Sequence, residues 1–131
     1  AGQQVRSLVG QYLNKMRDYK DLKIWQKSDE LAGIIHETSS KFPKDELFVL
    51  TSQIRRSSLS IPTNIVEGFY RTKKEFIHFL VIAFGSLKET EYLCAVAFKR
   101  KYINKSDYDR AQGLTTELSK MISVFIKKLT C

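Results

Sequence analysis

From Leu47 to Phe69, apolar residues return at helical intervals, and the pattern runs straight through a proline. Leu47, Leu50, Ile54, Ser58, Ile61 and Ile65 share one face of a single helix that contains Pro62, so the helix is expected to continue past a kink there. Gly68 and Phe69 close it. The same period recurs along the chain and no alternating strand pattern accompanies it, which predicts an all-α fold.

Three further helices follow from the spacing. Asp21 is the expected N-cap of the first, in which Leu22, Trp25, Ser28, Ala32 and Ile35 repeat, flanked by Leu31 and Ile34, as far as about Ser39. Phe42-Pro43-Lys44-Asp45-Glu46 reads as a short connection and a new helix start, because proline suits a first turn and acidic residues complement the helix dipole. Thr72-Lys73-Lys74-Glu75 has the form of a capping box. Behind it, Phe76, Leu80, Ala83, Leu87, Thr90 and Cys94 form a seam running on to Ala97 and Phe98. That helix has roughly 25 to 30 residues, about 40 Å at the usual rise. Ser106-Asp107 opens the last helix, with Tyr108, Ala111, Leu114, Leu118, Met121, Phe125 and Leu129 along one face.

Connections this short make neighbouring helices antiparallel, giving an up-down-up-down four-helix bundle with crossings near about 20°. A length of 131 residues is one domain. The bundle is assigned to residues 17–131. Residues 1–16 read as an N-terminal extension or a vector remnant, with Val5, Leu8, Val9, Tyr12 and Leu13 at approximate helical spacing before Met16, a candidate start.

Residues 76–84 are apolar nearly all round the helix, more than one seam can bury. Ile77, Phe79, Val81 and Phe84 therefore mark a subunit interface, the plainer alternative being a thick internal core. Arg55 and Arg56 lie beside the apolar seam, where their guanidinium groups can pair with Glu67, Glu89 or a neighbouring subunit. Interface pairing is the favoured role.

No catalytic set assembles from the sequence, so the expectation is not an enzyme. His36 and His78 are single imidazoles without metal-ligand spacing, Gly85-Ser86 follows helix and not strand, and no glycine loop cradles a phosphate. No metal and no cofactor are expected. Cys94 and Cys131 lack nearby partners, and no apolar run approaches the ~18 residues of a membrane span. A reducing, cytoplasmic setting without membrane contact is the reading.

Charge is more informative. Twenty-two Lys and Arg against 14 Asp and Glu leave a formal net charge of +8, enough to attract polyanions at moderate salt. In an antiparallel bundle Arg17, Lys20, Lys23, Arg71, Lys73, Lys74, Lys127 and Lys128 share one pole, while Lys41, Lys44, Lys99, Arg100, Lys101 and Lys105 share the other. Cations at helix C-termini are favoured without any ligand, which accounts for Lys99, Arg100, Lys101, Lys127 and Lys128. Arg71, Lys73 and Lys74 differ, crowding a helix start that already favours anions. Tyr70 beside Arg71 and Tyr102 beside Lys101 are weak candidates for base stacking.

Tyr19-x-Asp21-Leu22-x-x-Trp25-Gln26-Lys27, Phe42-Pro43, Leu50-Thr51-x-Gln53-Ile54-Arg55-Arg56, Ser60-Ile61-Pro62-x-Asn64-Ile65-x-Glu67-Gly68, Glu75-Phe76-x-x-Phe79-Leu80 and Ala83-x-Gly85-Ser86-Leu87-x-Glu89 stand in order. Over about Tyr19 to Phe125 the chain resembles the four-helix-bundle family encoded in intervening sequences of 23S ribosomal RNA genes, the S23-type proteins. The resemblance implies a closed ring of antiparallel bundles, a homo-oligomer of five subunits. It extends to the accessory variability protein of diversity-generating retroelements, a basic pentamer that binds nucleic acid and partners a reverse transcriptase. By that analogy, RNA or DNA and a reverse transcriptase are candidate partners. Two positions depart from the family pattern: Val66 stands where alanine is usual, and Phe84 where an arginine commonly precedes Gly85-Ser86.

The expected function is therefore a non-enzymatic, ring-forming helical protein that binds RNA or DNA weakly and without sequence preference. Arg71, Lys73, Lys74, Lys99, Arg100 and Lys101 are its candidate contacts. The alternative is a scaffold docking an acidic protein partner.

Overall fold

The computed structural model describes residues 11–131, and all regular structure among them is helical. The expected helical spacing of Val5, Leu8 and Val9 lies outside the described residues. Residues 11–15 are helical, and Tyr12, Leu13 and Met16, on the extension side of the expected boundary, pack against the core. Four long helices follow: α1 (Lys23–Ser39), α2 (Ser52–Phe69), α3 (Lys73–Lys99) and α4 (Lys105–Thr130).

Helix starts differ from expectation in instructive ways. Asp21 does not cap α1. It ends a 3-10 turn, Tyr19–Asp21, and its carboxylate accepts from the Arg17 and Asp18 amides at 2.9 and 3.2 Å. Asp18 accepts in turn from the Lys20 amide at 2.8 Å, so the acid pair is consumed one turn early and α1 starts behind Leu22 without a side-chain cap. At α3, Thr72 accepts from the Glu75 amide at 3.3 Å, as the capping pattern predicts, and its hydroxyl also donates to the Glu75 carboxylate at 2.8 Å. The cap of α4 is Asn104, whose side chain accepts from the Asp107 amide at 2.8 Å, two residues before the expected start at Ser106.

Helix α2 runs through the buried Pro62 without a break. Proline removes one amide from the ladder, and two neighbouring side chains bond carbonyls of the turn before it. Thr63 donates to the Leu59 carbonyl at 2.7 Å and Asn64 to that of Ser60 at 2.8 Å. Its approach is irregular: a 3-10 turn, Lys44–Glu46, then a π-helical turn, Leu47–Thr51. The wider π turn rotates successive side chains out of register with an α-helix, and Leu47, Phe48 and Val49 all face solvent.

Paired positions fix helix directions. Ser57 and Ser60 of α2 bond Thr90 and Ser86 of α3, both at 2.9 Å, and Gly68 lies against Phe76 and Phe79. Partners descend on α3 as they ascend on α2, so the two run antiparallel. Phe98 against Tyr108 and Phe76 against Phe125 give the same relation for α3 and α4. Tyr19 against Tyr70 and Ser39 against Arg55 give it for the first helical stretch and α2. Helix α1 also packs on α4, so each helix touches two neighbours around a core of Leu31, Ile35, Ile61, Ile65, Leu80, Leu87, Leu118 and Ile122.

At Gly68 the α2–α3 seam is close. A Cβ added there would lie 2.6 Å from Phe79 Cβ and 3.0 Å from the Phe76 ring, too near for real atoms. Gly113, in mid-α4, has nothing within 4 Å of such an atom. Gly68→Ala should lower unfolding free energy by about 1 to 3 kcal/mol through overpacking. Gly113→Ala should raise it by about 0.5 to 1 kcal/mol. Urea denaturation of both checks this, and equal behaviour of the two variants would refute the close approach.

Candidate functional site

The fold gathers two ends. At one, the Tyr19 amide donates to the Tyr70 hydroxyl at 3.2 Å, and Phe69, Phe76, Phe125 and Tyr12 form a chain of edge-on rings. This joins the start of α1, the α2–α3 turn and the end of α4, the neighbourhood that sequence assigned to the Arg71 pole.

Arg71 itself is not open to an anion. One nitrogen of its guanidinium pairs with Glu67 and another with Glu75 at 3.3 Å, and the group sits 5.2 Å above the Phe79 ring. The Glu67 and Glu75 hydrogen bonds raise the Arg71 pKa further above its ordinary value. Glu75 is held below the usual carboxylate range, first by the Thr72 hydroxyl and then by Arg71. One arginine between two carboxylates leaves that trio net negative, so only Lys73 and Lys74 remain unpaired at this turn among the described residues. The spacing Glu67, Arg71, Glu75, four residues apart each time, carried that information in the sequence.

The opposite end is built differently. Helix α3 stops in a Schellman turn: the Lys101 amide donates to the Phe98 carbonyl at 3.0 Å and the Tyr102 amide to that of Ala97 at 2.9 Å. Lys101 has a φ of 64°, the left-handed conformation for which glycine is the usual choice. Arg100 pairs with Glu46 at 3.2 Å across the end, and Tyr102 packs on Phe42 at 5.8 Å. Burial, then a hydrogen bond to Glu46, raises the Tyr102 phenol above its ordinary pKa.

Beside this turn lies an open cleft of about 700 Å³, whose lining includes Lys41, Lys99, Lys101, Thr38, Phe98 and Asp107. None of its three lysines makes an ion pair among the described residues. Of the expected candidates, then, Lys99 and Lys101 meet in one cleft, joined by Lys41. Arg100 faces Glu46, and Lys105 is held by Asp109 at 2.9 Å.

The expected interface residues divide. Val81 is 52% exposed, whereas Ile77, Phe79 and Phe84 are half-buried, and Ile77 and Phe84 pack against the core. Phe79 lies between Gly68 and Arg71, and Phe84 lies under Lys88 at 5.5 Å. Arg55 is spent inside the chain, donating to the Ser39 hydroxyl at 2.7 Å and the His36 carbonyl at 3.2 Å to close the end of α1. Arg56 takes Glu89 at 3.1 Å, one of its expected partners. Leu47, expected on the shared face with Leu50 and Ile54, is instead exposed because the π turn takes it out of register. Phe48, 89% exposed, was not singled out from the sequence, nor were Val49, Leu59 and Ile82. Four consecutive apolar residues, Leu47 to Leu50, cannot share one helix face, and that was the available signal.

Among the described residues no three His, Cys, Asp or Glu side chains converge on a common point, and no helix is long and apolar enough to cross a membrane.

Comparison with known proteins agrees with this helical geometry. A family model described as 23S rRNA-intervening sequence protein matches residues 20–124. A protein of unknown function from the S23 ribosomal protein family of Bacteroides thetaiotaomicron is similar to this chain at a TM-score of 0.73 and 31% identity. That match covers 79% of this chain and 98% of the other. No curated protein matches.

The thiols give a direct check of the packing around α3. Cys94 is buried and its pKa is pushed up to about 12, by burial first and then by the charge of Glu91, whereas Cys131 is exposed. A colorimetric thiol reagent at neutral to mildly alkaline pH should therefore titrate Cys131 alone in the native protein and both thiols after denaturation. Rapid native reaction of both would show that the α3 seam is not closed.

Proposed function

The chain belongs to the 23S rRNA-intervening sequence protein family, and from that premise we propose that it is a non-enzymatic nucleic-acid-binding protein. In this reading its antiparallel up-down-up-down four-helix bundles close into a ring. The carrying observation is the cleft at the α3–α4 turn, where Lys41, Lys99 and Lys101 stand together, none of them in an ion pair among the described residues, with Asp107 the one acid in the lining. Lysines concentrated this way supply a phosphate-binding field without base readout, which makes binding weak, salt-sensitive and indifferent to sequence. Lys73 and Lys74 add a lesser patch at the far end. Ring closure would repeat each patch around the axis and multiply the attraction.

The ring has its own support. Leu47, Phe48 and Val49 precede α2 as a continuous apolar ledge, and Leu59, Val81 and Ile82 are exposed on α2 and α3. Isolated exposed apolar residues are ordinary, but a phenylalanine 89% exposed between two other exposed aliphatics is a surface suited to cover by another copy.

Two measurements test these proposals. Affinity for a short RNA and a short DNA should fall steeply with salt. Reversing Lys99, Arg100 and Lys101 to glutamate should flatten the log–log slope by about two, at about 0.7 to 0.9 per phosphate contact. Reversing Arg71, Lys73 and Lys74 should do less, because Glu67 and Glu75 together outweigh Arg71 and weaken the positive field beside the two lysines, whereas Arg100 meets only Glu46. Binding unchanged in both variants would refute the surface. Separately, sedimentation should give a mass near five times 15.2 kDa, reduced by Phe48→Asp. A compact single copy at high concentration would refute the ring.

A further inference from the structure

We propose that the cleft at the α3–α4 turn is a seat for one unpaired nucleotide, so that the protein prefers single strands to duplex and Lys101 is a phosphate contact. The inference rests on the nucleic-acid reading above and adds what that reading does not state.

Four observations carry it. First, the cleft is the right kind of space: open, and about 700 Å³, within the ~300 to 1,000 Å³ of small-molecule sites. Second, the Phe98 ring lines it, 37% exposed, with one face held by Tyr108 at 4.2 Å and 8°. A ring fixed this way is a stacking surface for a flat base, and a base inside a duplex cannot reach it. Third, Thr38 lines the same cleft at 6% exposure, and its hydroxyl has no hydrogen-bond partner among the described residues. Ser28, Ser39, Ser57, Ser58, Thr90 and Thr115 bond within the chain while Thr51, like Thr38, does not. The hydroxyl both sealed from solvent and without a partner is that of Ser119, so the Thr38 hydroxyl still reaches the open space of the cleft. Thr38 is placed to bond a base edge or sugar hydroxyl.

Fourth, a lysine occupies the left-handed position of the Schellman turn, where glycine would be unstrained. A strained residue held by its surroundings points to a use for its side chain. Lys101 lines the cleft with Lys41 and Lys99, and these three against Asp107 leave two surplus positive charges beside the stacking ring. Asp107, on the first turn of α4, is an acceptor for a base N–H, the ring N3–H of uracil included, and disfavours phosphate only on its own side.

The test uses the full chain, a fluorescein-labelled oligouridine strand and its duplex with oligoadenine, compared by anisotropy at one salt concentration. Wild type should bind the single strand at least about threefold more tightly than the duplex. Lys101→Gly should weaken single-strand binding about three- to tenfold, lowering its salt slope by about 0.7. Its melting temperature should stay equal or rise, because the strain is relieved. Thr38→Val should weaken single-strand binding by about three- to tenfold with little change in slope, the loss of one uncharged hydrogen bond. Equal affinity for strand and duplex, or single-strand binding unchanged in both variants, would overturn the seat while leaving the general reading intact. Absence of binding to either nucleic acid would overturn both.

Discussion

Close contact along the α2–α3 seam is the constraint from which the rest of the structure follows. Gly68 admits Phe79 where any side chain would collide, and Ser57–Thr90 and Ser60–Ser86 bond across the seam at 2.9 Å. Small residues let the backbones approach, and the two hydroxyl pairs, one buried and one half-buried, favour a single register, because a slip would forfeit both cross-seam bonds. Arg56 on Glu89 extends the same register to the surface, where the pair contributes little energy but agrees in alignment. With α2 and α3 locked, the three-residue turn between them places Arg71 between Glu67 and Glu75. At the far end, the length of α3 sets where Lys99 and Lys101 emerge.

Much of this was legible in the sequence, and the exceptions have physical reasons. Long helices read well because their apolar period is repeated many times, so the path through Pro62 and the seam from Phe76 to Cys94 were secure. Helix starts read less well because several acceptors compete. Asp18 and Asp21 both suit a cap, and the 3-10 turn took both, leaving α1 to begin on Leu22. The π turn before α2 was invisible, since nothing in a period analysis distinguishes an inserted residue from a short loop.

The candidate site was legible in composition and not in pairing. Sequence placed Arg71, Lys73 and Lys74 at an anion-favouring helix start, and the turn is there, but Arg71 is held by two carboxylates one turn away on either side. Sequence explained Lys99 and Lys101 as cations complementing a helix C-terminus, and that remains true of their position. What sequence could not supply was the tertiary neighbour. Lys41 and Thr38 arrive from the end of α1, some sixty residues away in the chain, and the cleft exists only because α1 and α4 pack together.

The division of labour between the two cation types bears on the kind of binding proposed. Arg55, Arg56, Arg71 and Arg100 are each engaged within the chain, where planar forks hold carboxylates, a hydroxyl or a carbonyl in fixed geometry. The cleft's cations are lysines, compact and strongly hydrated, which meet a phosphate as point charges and lack the fork that reads a guanine edge. A surface so composed favours attraction over recognition. If it discriminates, it does so through shape, by what can enter the space beside Phe98, and a free base can enter where a stacked pair cannot. Specificity for strandedness without specificity for sequence is thus the combination that open lysines, one fixed ring and an unpartnered hydroxyl together support.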